Sequence, residues 1–202
     1  MDICRKNLWM VFISLFFYTG MALPAYSCAC CADPAERHIG NIPLQDYLIA
    51  DLKRLSFGPK AALYSNTCGL ECVWGIENPQ DLYQMSSHLS QGVWTLDMSS
   101  GDGPNGAISF DLPAEVFEFF VDTTPDIGIR ATPLYKELRL SVRAQGTGIF
   151  ATGLAGQPEA QLILQGAGNH CTAAEDFTHW QFRVKSKAAS FVLYGSLAQP
   201  KR

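Results

Sequence analysis

The sequence predicts a mainly β fold: an antiparallel β-barrel or β-sandwich, built as a single domain behind an N-terminal signal peptide. Three observations carry this expectation. Apolar and polar residues alternate with a period of two along much of the chain, as strands with one buried and one wet face require. Gly, Pro, Asn and Asp clusters punctuate those segments at short intervals. No long stretch shows convincing helical spacing. Roughly nine or ten short strands result, and a sheet that large closes or doubles to bury its apolar side.

The first residues read as a targeting segment. Arg5 and Lys6 precede an apolar run over residues 8–23, and Ala25 and Ser27 place small residues at the −3 and −1 positions of a cleavage site. Cleavage after Ser27 makes residues 1–27 the leader and Cys28 the new N-terminus. The alternatives are a retained anchor, for which the run is short of the roughly 20 residues a spanning helix needs, and a lipid on Cys28. Ala25 stands where a lipoprotein signal normally carries Leu. Residues 28–43 then form an irregular, Cys-rich arm, and residues 44–202 the β domain.

Within that domain, residues 44–57 are ambiguous. Leu44, Tyr47, Leu48, Leu52 and Leu55 fit a helix, but an edge strand over 48–57 agrees better with the β-rich chain that follows. Residues 61–64 form a short strand. Residues 82–89 and 93–98 form a hairpin about Ser90-Gln91-Gly92. Ile108, Phe110 and Leu112 point inward from the next strand, and Phe117, Phe119 and Val121 share a face of the one after it, with Glu115, Glu118 and Asp122 on a wet face. Over 134–143 the alternation is cleanest: Leu138, Leu140 and Val142 oppose Glu137, Arg139, Ser141 and Arg143. Gly146 and Gly148 turn the chain into a strand at 149–152. Strands at 161–165, 179–185 and 190–194 complete the set, with Trp180, Phe182 and Val184 opposite Gln181, Arg183 and Lys185. Trp74, Trp94, Trp180, Phe110, Phe117, Phe119, Phe182 and Phe191 suffice to fill a core or to line a ligand cavity.

Six cysteines remain after cleavage: Cys28, Cys30, Cys31, Cys68, Cys72 and Cys171. In an oxidising compartment they are disulfide candidates first. The expected pattern ties the N-terminal cluster to Cys68/Cys72 and to Cys171. The functional candidate is the loop at 166–178, where His170, Cys171, Glu175, Asp176 and His179 cluster and Gly166 and Gly168 allow a tight turn. Imidazole, thiolate and carboxylate at short spacing are the ligands of Zn or Cu. The spacing matches no standard metal signature, and a disulfide at Cys171, a turn capped by Asp176 and solvent-facing histidines account for the same residues.

The chain carries a net charge of −4 and no Lys/Arg run, which gives no footprint for nucleic acid. It lacks Asn-X-Ser/Thr and Gly-x-Ser-x-Gly. Export to a bacterial periplasm or the extracellular medium is the expected location. The leading expectation is a disulfide-stapled, non-enzymatic module that binds a small apolar ligand or another exported protein. The alternatives are a periplasmic metal-binding (Cu/Zn) or thiol-redox protein using the Cys cluster and the His170/Cys171 loop, and a hydrolase with a dispersed site. If Cys171 is a staple, Cys171→Ser lowers stability by about 2–5 kcal/mol in a denaturant melt; unchanged melting together with loss of bound metal identifies a ligand instead.

Overall fold

A computed structural model describes residues 37–65, 67–101, 103–122, 134–168 and 173–198. The leader at 1–27, the cysteines Cys28, Cys30 and Cys31, and the His170/Cys171 pair lie outside the described residues. The alternating segments become twelve strands. In chain order the elements are β1 (Arg37–Pro43), α1 (Asp46–Arg54), β2 (Ser56–Phe57), β3 (Lys60–Leu63), a 3-10 turn (Leu70–Cys72), β4 (Leu82–Ser90), β5 (Val93–Ser99), β6 (Asn105–Asp111), β7 (Glu115–Asp122), β8 (Leu134–Arg143), β9 (Gln145–Gly148), α2 (Ala151–Leu154), β10 (Glu159–Gly168), a second 3-10 turn (Ala174–Asp176), β11 (Phe177–Lys185) and β12 (Ser190–Ala198).

The strands form one antiparallel sheet in the order β1-β7-β8-β10-β11-β12-β3-β4-β5-β6-β9, with β2 added to β12. The ladder is not closed into a barrel, and it is a single sheet rather than the two of a sandwich. It is strongly curled nonetheless. β9 follows β8 after one residue, Ala144, so the stretch that pairs β10 runs on into a strand that pairs β6. Gly148, at the far end of β9, permits the close pairing with β6: its φ is +58°, and a Cβ there would lie 1.9 Å from the Asn105 carbonyl oxygen. The sequence expectation of a turn at Gly146–Gly148 and a strand at 149–152 is thereby reversed, because the glycines form β9 and the following residues enter α2.

The concave side is filled by side chains. Phe110 of β6 stacks on Phe182 of β11 with centroids 5.5 Å apart. Phe57 bridges Trp94 and Trp180 at 5.3 and 5.4 Å. Trp180 is fully buried over Gly195, where a Cβ would lie 2.8 Å from its Nε1. The aromatics at these positions therefore form core rather than a cavity lining. Of the aromatics expected in the core, Trp74 is half-exposed, and Phe117 and Phe119 lie half-buried on the opposite face.

Local chemistry explains the remaining elements. Gln91 and Gly92 both take positive φ, 51° and 82°, in the two-residue turn that matches the twist of β4 and β5. Residues 46–54 are helical rather than an edge strand. Leu48 and Leu52, one turn apart, are buried, Asp46 sits in the first turn, and Lys53 and Arg54 sit in the last. That charge order complements the helix dipole, and only the short β2 keeps the expected extended form. Residues 37–43 are not irregular: they pair with β7 along their whole length. On β7 the buried side chains are Val116, Glu118 and Phe120, and Phe117, Phe119 and Val121 lie half-buried on the opposite face. The expected wet position of Glu118 is thus corrected. Cys68 and Cys72 form a disulfide with each other, their Cα atoms 5.9 Å apart, so they staple a local loop instead of reaching the N-terminal cluster.

The packing of Trp180 sets a stability test. Trp180→Ala is expected to cost about 3–5 kcal/mol. Trp180→Phe is expected to cost less, because the indole N–H has no acceptor to lose. Chemical denaturation of both variants checks the ranking; an equal or smaller cost for Ala contradicts the core assignment.

Candidate functional site

The residues singled out in the sequence diverge. Glu175 and Asp176 belong to the 3-10 turn before β11. Glu175 is exposed and pairs with Arg54 at the end of α1. Asp176 turns inward and accepts a hydrogen bond from Lys136 Nζ at 2.7 Å. His179 lies exposed on β11, its Nδ1 2.9 Å from Thr178 Oγ1. Among the described residues no group of three His, Cys, Asp or Glu side chains can share a metal ion; His170 and Cys171 lie outside them. Gly166 and Gly168 are strand residues, not a turn. A Cβ on Gly168 would meet the Asp176 carboxylate at 2.4 Å, and one on Gly166 its carbonyl oxygen at 1.8 Å. Their smallness lets the Asp176 turn lie against β10, at the bulge where the register shifts after Gln165.

A more organised arrangement occupies the convex face. Strand register aligns Phe119–Glu137–Gln165–His179 in one row and Phe117–Arg139–Ile163–Gln181–Tyr194 in the next. Glu137 is the hub. It accepts Tyr135 O–H at 2.6 Å, Gln165 Nε2 at 3.0 Å and Arg139 Nε at 2.6 Å. The Arg139 guanidinium lies over the Phe117 and Phe119 rings, 5.3 and 5.9 Å from their centroids. Gln165 also donates to Tyr135, and its carbonyl oxygen accepts Gln181 Nε2 at 3.5 Å. Gln181 Oε1 then accepts two N–H groups of Arg183, at 3.0 and 2.7 Å. A continuous chain of planar polar groups thus crosses β8, β10 and β11 and fixes the plane of Arg183.

Beyond Arg183 the convex face becomes cationic. Ser141, Gln161, Arg183 and Val192 form one row, and Tyr64 continues it by donating its backbone N–H to the Val192 carbonyl at 2.8 Å. At the strand ends Arg143 faces Glu159, Lys185 faces Ser190, and Ser190 bridges to Trp74. A groove of about 410 Å³ runs between Arg143, Glu159, Gln161, Arg183 and Lys185. A second, of about 270 Å³, shares Arg183 and Lys185 and is walled by Tyr64, Val73 and Cys72 of the disulfide loop. Among the described residues Arg143, Arg183 and Lys185 have no ion-pair partner. Tyr64 and Trp74 are 58% and 50% exposed.

The sequence reading missed these residues as a group. Alternation placed Arg183 and Lys185 on the wet face, but it carries no information on which strands lie beside β11. Compared with known proteins, the chain matches no family model, no curated protein and no solved structure.

Two titrations report on the Glu137 hub. Burial, then the adjacent Glu137 carboxylate, pushes the Tyr135 hydroxyl up from 10.0 to about 12. Burial alone would raise Glu137, but hydrogen bonds from Tyr135, Gln165 and Arg139, with the Arg139 charge, outweigh it and hold the carboxyl below its ordinary value. A raised folded-state pKa stabilises below the unfolded value and loses its effect on the way up through the folded one. The Tyr135 contribution is therefore lost between pH 10 and about 12. The depressed Glu137 has the opposite sign, and its contribution is lost as acid passes through its folded-state value. Melting curves of the wild type and Tyr135→Phe should converge across the alkaline window; a constant gap refutes the coupling.

Proposed function

We propose that this chain is an exported, non-enzymatic binding module whose cationic convex face docks another exported protein presenting acidic side chains. The observation that carries this reading is the gathering of Arg143, Arg183 and Lys185, without ion-pair partners among the described residues, on a chain whose net charge is −4. Three cations and one carboxylate, Glu159, line the groove, and that excess of positive charge supports an anionic partner. Tyr64 and Trp74 end the same rows, and Trp, Tyr and Arg are the side chains that dominate protein–protein binding energy. Arg183 is held in place before binding by Gln181, which lowers the entropy lost on docking. The core-filling rings at Phe110, Phe182, Trp94 and Trp180 argue for a surface ligand over one held inside the sheet. Export is supported by the leader pattern at residues 1–27 and accords with the Cys68–Cys72 disulfide.

The test is cross-linking capture from the exported fraction of the source cell, with the wild type beside Arg183→Glu/Lys185→Glu and Trp74→Ala. The wild type should retain a partner that both variants lose and that elutes as salt rises. A partner retained equally by the charge-reversed variant, or one insensitive to salt, defeats the proposal.

A further inference from the structure

The concave side of β8 carries one residue that packing alone does not explain. Lys136 is 0% exposed, in line with Leu134, Leu138 and Leu140 on a face otherwise apolar. Its Nζ lies 2.7 Å from Asp176 Oδ2 and 5.7 Å from the centroid of the Phe120 ring. Glu118, also buried, stands on the same side of the neighbouring strand. Phe120 is directly opposite Lys136 and Glu118 opposite Leu138, which makes Glu118 the diagonal neighbour of Lys136. Diagonal positions lie about 7 Å apart, within reach of long side chains. Asp176 is held against β10 by the cradle at Gly166 and Gly168. A buried ion pair is a poor source of stability compared with apolar residues of the same volume, so this group invites a chemical role.

We propose that Lys136 and Asp176 condense into an intramolecular isopeptide bond, with Glu118 as the proton relay, from the juxtaposition of a buried amine, a pinned carboxyl group and a second buried carboxyl group. Transfer of one proton across the 2.7 Å contact turns the ion pair into an amine and a carboxylic acid. The Nζ lone pair attacks Cγ of Asp176, and the N–C bond forms. One Nζ proton passes to the Glu118 carboxylate. Glu118 returns that proton to the hydroxyl group departing from Cγ, the C–O bond breaks, and water leaves. The Asp176 side chain is 24% exposed, which gives the water a way out. Glu118 ends as it began, and no oxidant or cofactor is consumed. Holding the two reactants in contact replaces a bimolecular condensation with a unimolecular one, the source of very large effective molarities. The bond ties the first turn-side residues of β8, at Lys136, to the turn that opens β11, two strands away in the ladder. This inference is independent of the binding face.

The test is peptide mapping of the purified full chain after reduction and tryptic digestion. The expected result is a branched peptide joining Lys136 to Asp176, lighter than its two parts by one water, with no cleavage after Lys136. Glu118→Gln should give the two linear peptides at full mass and a melting point below that of the wild type. Separate linear peptides from folded wild-type protein overturn the proposal whatever the variant does. A branched peptide formed as completely in Glu118→Gln overturns the relay.

Discussion

Phe110 and Phe182 stack across the concave side, although four strands lie between β6 and β11 in the ladder. Rings cannot meet over that distance unless the sheet rolls up, and most of the architecture follows from that requirement. The roll brings β9 back to the chain end of β8 and gives the inward residues of ten-odd strands one common core. Curling a sheet needs glycines where backbones crowd, and they stand at the tight points: Gly148 against Asn105, Gly195 under Trp180, Gly153 against the Gly75 backbone. The same contacts fill the space between these strands with aromatic side chains.

That division of labour between the faces makes the exceptions informative. On the concave side, the exceptions are Lys136 and Glu118, both kept from water where their neighbours are leucine, valine and phenylalanine. They gather at one end, beside the Asp176 turn. α1 lies close by, with its Arg54 paired to Glu175 of that same turn. The backbone is shaped around that charge by Gly166 and Gly168, where a Cβ would meet the Asp176 backbone and carboxylate. A casual polar substitution in a core would not come with a matching gap in the next strand.

Much of the fold was legible in the sequence. The β class, the hairpin about residues 90–92, the span of β8 and the inward set Trp180, Phe182 and Val184 all follow from period-two alternation and turn chemistry. What failed did so for identifiable reasons. Residues 46–54 carry both spacings, and burial of Leu48 and Leu52 decided for the helix. On β7 the phenylalanines at 117, 119 and 120 occupy both faces, so hydrophobicity could not fix the parity; pairing with β8 did. Lys136 was within reach, since it shares parity with Leu138 and Leu140, but a charged residue is read as wet unless its partner is seen. The convex groove was not legible, because Arg143, Arg183, Tyr64 and Trp74 come together only through strand order. The cysteines show the same limit: six thiols permit many pairings, and the local Cys68–Cys72 link emerges only once the loop geometry is known.

The convex network also bears on whether that face is built for stability or for recognition. Exposed ion pairs are worth little individually, and holding long side chains in one geometry costs entropy. A purely structural network would end when its charges are balanced, as Glu137 and Arg139 balance each other. Here it continues through neutral amides, Gln165 and Gln181, to a third group, Arg183, whose charge it orients but does not neutralise. Amides are suited to this because each can accept on one side and donate on the other, carrying orientation without carrying charge. The consequence is a guanidinium fixed in direction, in the same groove as Lys185, Arg143 and the Glu159 carboxylate. Under the proposed function, the free energy invested in aiming that charge outward is recovered when an acidic partner docks.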